Sequence, residues 1–401
     1  MKIAMGNDHT AIELKNIIKE LAATAFSGCT QNTQNQSNSD TPIETETTTS
    51  EESKSNESSA AFVENLYDPN FSIELLEDGI KKVIDGEGRE LILVPKEMEE
   101  VPAEYTDSIV IRTPVENAVF LSSTQVCTFR AVDDSAIIEA IAGVSGGVDE
   151  WAGIPAIKEG LENGSIVDIG GASMGEPDYE LIQSLNPDIV FLYTGSNPQT
   201  NQIAKFEELG INYAVDNEYM ESNYLARMEW MRFILTFFNA DEQVNEVMNN
   251  AQKVVDEVKS KIEGLEKPKV AVFSVYDGAV YGTSDNSWVG TMLSDMGGIN
   301  AFSGMPEGTL TMEAAFECIQ DADVIIYTST PAYCNGMEGV MEAFPQLSEC
   351  KAYENDRVYQ YGESFWIGID QSEIMAADLA AAIYPDTFAD RTLTYYVKLE
   401  K

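Results

Sequence analysis

The chain has 401 residues and 44% hydrophobic content, enough to bury one large core or two medium ones. Its 68 acidic against 24 basic residues give a formal net charge of −44, which argues against a phosphate-neutralising nucleic-acid surface and against a basic membrane patch. One histidine, His9, and five cysteines without a CxxC pair leave no parts for a His-rich metal site or a Ser-His-Asp triad.

Residues 1–21, MKIAMGNDHTAIELKNIIKEL, read as a short strand, a turn and an amphipathic helix with Ile12, Leu14, Ile17, Ile18 and Leu21 on its apolar face. The run resembles the start of ribose-5-phosphate isomerase B, including the GNDH turn. The resemblance stops after one βα unit, which cannot bury a core, so no isomerase activity is expected. Phe26-Ser27-Gly28-Cys29 then resembles a lipobox, in which the cysteine is lipidated and becomes the mature N-terminus. Lys15, Lys19 and Glu20 interrupt the apolar run that a secretory signal needs upstream, so residues 1–28 read as an aberrant leader. A chance Gly-Cys pair is the alternative. Residues 29–60 are rich in Thr, Gln, Asn, Ser and Glu and cannot offset the entropy of ordering. They read as a tether, the connection that a surface-anchored binding domain requires.

From Phe62 apolar and polar residues alternate. GIKKVIDGEGRELILVP predicts two strands around a turn at Asp85-Gly86-Glu87-Gly88, and residues 61–107 form a β-hairpin extension. Strands at Ser108–Arg112, Ile166–Ile169 and Ile189–Tyr193 then alternate with helices at Asp133–Ile141, from Asp178, and at Gln202–Leu209. Such alternation predicts a mostly parallel sheet over 108–240. Between Glu242 and Ile262 the rhythm changes. Val244, Val247, Met248, Ala251, Val254, Val255, Val258 and Ile262 recur at helical spacing. The helix should run about six turns, roughly 30 Å, and the Gly264–Pro268 stretch stops it. Strands at Val270–Val275, Val324–Tyr327 and Val358–Gln360, with a helix from Trp288 to Met296, fill 266–401. The fold class is α/β, two Rossmann-like lobes joined by one long helix over 241–265. A single large α/β domain is the alternative.

SIVIRTPVENAV and SIVDIGGASMGEPDYELIQSLNPDIVFLYTG resemble the first lobe of the binding proteins that serve ABC importers of siderophores, heme and vitamin B12. EYMESNYLARMEWMRFILTFFN and ESFWIGIDQSEIMAADLAAAIYPDTF resemble a bacterial branch of that family associated with iron-chelate uptake. The likeness runs from about Ile80 to Leu399. It implies a rigid helix between lobes, limited closure and no enzymatic activity. It further implies a monomeric lipoprotein on the outer face of the cytoplasmic membrane that delivers its ligand to a permease and ATPase complex. No resident cofactor is implied; the ligand would be a ferric siderophore or similar metal chelate, with corrinoid or heme as the second reading. A vestigial or fused isomerase is the reading from another class.

Glu180 and Glu313 each fall in the first turn of a helix, where a carboxylate complements the helix dipole. By resemblance to the vitamin B12 binder, they would meet arginines of the permease, one per lobe. Trp151, Tyr281, Trp288, Tyr333 and Trp366 fall in predicted loops or helix starts, where aromatic walls suit conjugated chelates; about half are expected to be packing. Arg130 is placed to meet an anionic chelate or simply the solvent. The branch carries an Arg-Pro pair where this chain has Gln371-Ser372, which weakens the case for an anionic ligand. Cys334 and Cys350 are left open as a pair, since spacing carries no geometry. No metal site built from protein side chains alone is expected.

Overall fold

The computed structural model describes residues 65–132, 135–147, 151, 153–171, 175–195, 197–305 and 308–401. The isomerase-like run, the lipobox cysteine Cys29 and the tether lie outside the described residues.

Three sheets organise the chain. The first is four-stranded, in the order β1 (Ser72–Leu75), β2 (Lys81–Ile84), β3 (Glu90–Pro95) and β4 (Ile109–Thr113). β1 to β3 are antiparallel, whereas β4 adds parallel to β3. The turn at 85–89 forms as its Asp and Gly residues predict, with Gly88 at φ 76° and the Asp85 carboxylate accepting from the Glu87 and Arg89 backbone amides. β4 was expected to open the parallel sheet. Its hydrogen bonds instead go to β3, and the parallel sheet begins at β5 (Ala118–Phe120).

The second sheet joins β5 with β6 (Ile141–Val144), β7 (Val167–Asp168), β8 (Ile189–Leu192) and β9 (Tyr213–Val215) in the order β7-β6-β5-β8-β9, all parallel. The third joins β10 (Lys269–Tyr276), β11 (Ala279–Gly282), β12 (Ile299–Asn300), β13 (Val324–Tyr327), β14 (Val358–Tyr361) and β15 (Tyr396–Lys398). Its order is β11-β10-β13-β14-β15, with β12 also on β10. The inner pairs are parallel and the β11 and β15 edges antiparallel. β8 and β13 are buried at every position, as strands covered on both faces must be.

The helix Asp241–Ile262 connects the two parallel sheets in sequence; its 22 residues span roughly 33 Å. Val244, Met248, Ala251, Val255, Val258 and Ile262 are its buried stripe, and Asp241 and Lys261 stand at the ends that the helix dipole favours. Lys81 of β2 reaches its start and pairs with Asp241 at 2.5 Å. Two further helices pack against this connector, Tyr224–Leu235 and Ser372–Ile383. All residues of the first and nearly all of the second are buried. One hydrophobic cluster therefore runs from the four-stranded sheet through all three helices into the third sheet.

Among the described residues, no helix is long and apolar enough to cross a membrane. Cys127, Cys318, Cys334 and Cys350 are free thiols, so Cys334 and Cys350 are not joined.

Candidate functional site

Parallel sheets present their loops at the carboxyl ends of the strands, and ligands settle where the strand order reverses. In the five-stranded sheet that switch lies between β5 and β8. Beyond β8 come Tyr193 and Thr194. The Tyr193 and Tyr219 rings meet edge to face at 6.2 Å, and the Tyr219 hydroxyl donates to the Thr194 carbonyl. Burial raises the Tyr219 phenol above its ordinary range, so it stays a donor. The hairpin turn of the first sheet docks here. The Gly86 amide donates to the Val215 carbonyl at 2.9 Å, the Thr194 hydroxyl donates to the Glu87 carboxylate, and the Arg89 guanidinium lies 3.5 Å over the Tyr213 ring. A Cβ on Gly86 would stand 3.0 Å from the Val215 oxygen, which is why the turn needs glycine at that approach. The extension thus adds a wall at the edge of this lobe.

In the other lobe, β14 delivers an aromatic group. Tyr361 and Phe365 stack with centroids 3.4 Å apart. Trp366 stands edge-on to both at 5.5 and 5.4 Å, and Trp288 lies 6.1 Å from Phe365. Phe365 and Tyr361 are buried, whereas Trp366 is partly exposed and carries the group outward. Tyr333, beyond β13, is 54% exposed. The partly exposed Trp366 beside a buried stack is a surface that a conjugated ligand can extend.

The remaining aromatic candidates sit elsewhere. Trp151 is 1% exposed and its indole N–H donates to the Gly146 carbonyl at 3.2 Å; it packs the core and offers no solvent-facing wall. Tyr281 belongs to edge strand β11, opposite Ser274, and not to a loop. Trp288 opens its helix as expected, but it is buried beneath Arg227, whose guanidinium carbon lies 4.3 Å from the ring centroid. Burial of a ring of this size beside a desolvated cation is favourable in itself.

Arg130 does not point free charge at a ligand. Its Nε donates to Asp370 Oδ2 at 3.0 Å and its Nη2 to Asp370 Oδ1 at 2.6 Å and to the Ile367 carbonyl at 2.7 Å, so the guanidinium is occupied. Burial raises the Asp370 carboxyl despite the arginine. Burial also opposes the charge of Arg130, and the Asp370 contact outweighs it and raises that pKa. The two directions agree with a buried pair whose acid is the strained partner.

Glu180 and Glu313 are both exposed in the first turns of matching helices, Tyr179–Leu185 before β8 and Met312–Ile319 before β13. The caps are supplied by the preceding residues: Asp178 accepts from the Leu181 amide at 2.9 Å, and Thr311 from the Ala314 amide at 3.3 Å. Neither glutamate is needed as a cap. Among the described residues, no three or more His, Cys, Asp or Glu converge on a metal-sized point. A depression of about 440 Å³, lined by Lys259, Glu263, Lys267, Asp295 and Tyr384, lies by the last turn of the long helix. It sits where β10 begins, away from the carboxyl ends of the strands, so it is set aside as the ligand site.

The profile of the periplasmic binding protein family matches residues 131–364. The chain belongs to that family. The binding protein has a relative of 28% identity over 393 residues, an uncharacterized lipoprotein of Methanocaldococcus jannaschii; the match covers 94% of this chain and 96% of the relative. Among solved structures, a periplasmic binding protein from Veillonella parvula is similar with a TM-score of 0.55 at 15% identity, covering 79% of this chain and 98% of that one. The apo periplasmic heme-binding protein RhuT from Roseiflexus sp. RS-1 is similar with a TM-score of 0.52 at 18% identity, covering 68% and 99%. At such identities the structures share the fold. Members of this family are substrate-binding transport proteins and not enzymes.

Proposed function

We propose that this chain is the capture subunit of an ABC importer, holding a ferric siderophore or similar metal chelate between its lobes. The observation that carries the reading is the family match over residues 131–364, which takes in four of the five strands of the first parallel sheet, the connecting helix and β10 to β14 of the second. The ligand would lie at the carboxyl ends of the strands, against Trp366 and Tyr333 on one lobe and Tyr193 and Thr194 on the other. In this reading iron arrives with its own chelating oxygens, in keeping with the lack of a convergent His, Cys, Asp or Glu cluster among the described residues. Heme is the second reading, favoured by the partly exposed Trp366 ring beside the Tyr361–Phe365 stack and by the heme-binding neighbour of similar fold.

Glu180 and Glu313 would dock the loaded protein onto the permease of the permease–ATPase complex, one contact per lobe. Their exposure and their redundancy as caps support this role. Cys29 would carry the lipid on the outer face of the membrane, in keeping with the relative named a lipoprotein. The domain limits proposed are a tether over 29–60, lobes over 108–240 and 266–401, and a connector over 241–265, in a monomer.

Mass spectrometry of small molecules retained by the full chain, purified from its native medium, tests the reading. An iron chelate or a tetrapyrrole is expected. A retained sugar phosphate, or turnover of ribose-5-phosphate, would replace it.

A further inference from the structure

Among the described residues, two cationic contacts join elements of the two lobes. The first is Arg130, which follows β5 and its helix in the N-terminal lobe. It grips Asp370 and the Ile367 carbonyl, both beyond β14 in the other lobe, while its Nη1 donates to Gly153 of its own lobe at 3.4 Å. The lobes touch beside it so closely that a Cβ on Gly153 would stand 2.4 Å from Ile367 Cδ1. The second is Arg227 on the buried helix Tyr224–Leu235. Its Nε donates to Glu218, beyond β9, at 2.6 Å, while its guanidinium covers Trp288 of the C-terminal lobe. Beside it, Thr291 donates to the Ser222 carbonyl at 2.7 Å and Tyr224 to Asp295 at 3.2 Å.

We propose that Arg130 and Arg227 are positioning residues that lock the two lobes at one separation before any ligand arrives. The two contacts stand on different elements, the short turn Thr128–Ala131 and the helix Tyr224–Leu235, and so add to the shared core two fixed points that oppose rotation of one lobe on the other. The Arg130–Asp370 pair is bidentate and largely shielded from water, the geometry in which an arginine fork is directional and a lysine is not. Removing the arginine strands a buried carboxylate, and Asp370 regains solvent only if the lobes part. Removing the carboxylate instead leaves Arg130, long enough to reach water on its own, so the smaller opening follows. The inference rests on the capture reading only for what a fixed lobe separation is used for; the clasp itself needs no ligand.

Spin labels at exposed positions 162 and 342, placed in the full chain as Glu162→Cys and Glu342→Cys with Cys29→Ser and Cys318→Ser, measure the lobe separation directly by pulsed dipolar spectroscopy without ligand. The unmodified clasp should give one narrow distance. Arg130→Ala should broaden the distribution and shift it to longer distance, Asp370→Asn should do so less, and adding Arg227→Ala should broaden it further. Low-millimolar guanidinium should narrow the Arg130→Ala distribution again, a rescue that general loss of packing would not show. An unchanged narrow distance in Arg130→Ala, or in Asp370→Asn if the first variant does not fold, would overturn the proposal. So would a broad distribution in the starting protein.

Discussion

The helix Tyr224–Leu235 buries Arg227, Glu229 and Arg232 along with all its apolar residues, while the segments beyond β13 and β14 leave Tyr333 exposed and Trp366 partly exposed. The junction therefore holds charge inside and the rims hold aromatic surface outside, the reverse of the usual distribution. At the junction each charge has several directed partners. The Glu229 carboxylate accepts from the Leu66 amide at 2.8 Å, from the Tyr67 amide at 3.0 Å and from Arg232 at 3.4 Å. Glu221 takes the Trp230 indole and the Asn70 amide, each at 2.7 Å. These carboxylates tie the incoming strap of residues 65–71 onto the helix, where Phe71 meets Trp230 edge-on at 4.9 Å. The lesson is a division of labour: the buried network ties the elements of the junction together, and under the proposed reading the exposed residues are the ones left for binding and docking.

The largest effect is expected where that network is broken. Glu229→Ala leaves Arg232 buried without its anion and frees two backbone amides, so it should cost about 3–5 kcal/mol by chemical denaturation. A cost under 1 kcal/mol would mean that the junction is not what holds the frame. Next comes Glu373, in the first turn of the helix Ser372–Ile383. Burial, with Asp370 adding to it, raises its carboxyl to about 7, and its Oε2 has no hydrogen-bond partner among the described residues. The folded protein keeps this proton to higher pH than the unfolded chain does. Stability is therefore fully present below about pH 4.5 and is lost as pH rises through 7. Glu373→Gln should match the parent at pH 4.5 and exceed it by roughly 2–3 kcal/mol at most at pH 8. Equal stabilities at pH 8 would show that Glu373 is relieved by solvent.

At the rim the effects on folding shrink. Tyr333→Ala removes a largely exposed ring and should change stability by about 0.5 kcal/mol or less, while lowering affinity for the retained chelate by titration. Unchanged affinity would remove Tyr333 from the binding surface.

The same contrast decides what could be read in the sequence. The connector was legible because Val244, Met248, Ala251, Val255 and Val258 recur with the period of a half-buried helix. The helices at 224–235 and 372–383 carry no such period, because both are enclosed on all sides and present one run of buried residues. Charges inside the apolar run YLARMEWMRFIL were the available signal for a buried ionic network. Arg130 looked free because its partner, Asp370, lies 240 positions away. Trp151 looked like a loop aromatic because sequence gives no sign that its own ring is buried, and β4 read as a strand without revealing its neighbour. Glu180 and Glu313 were placed correctly in first turns, since Asp178 and Thr311 announce those helices.

Transport assayed with the cognate permease in proteoliposomes tests the account most directly, comparing the parent with the double variant Glu180→Ala and Glu313→Ala. Each exposed first-turn carboxylate is worth only about 0.3–1 kcal/mol to folding, so melting temperature and chelate affinity should stay close to the parent while uptake falls sharply. Affinity lost with complex formation intact would place these residues at the ligand and contradict the account, as would uptake that is indifferent to both changes.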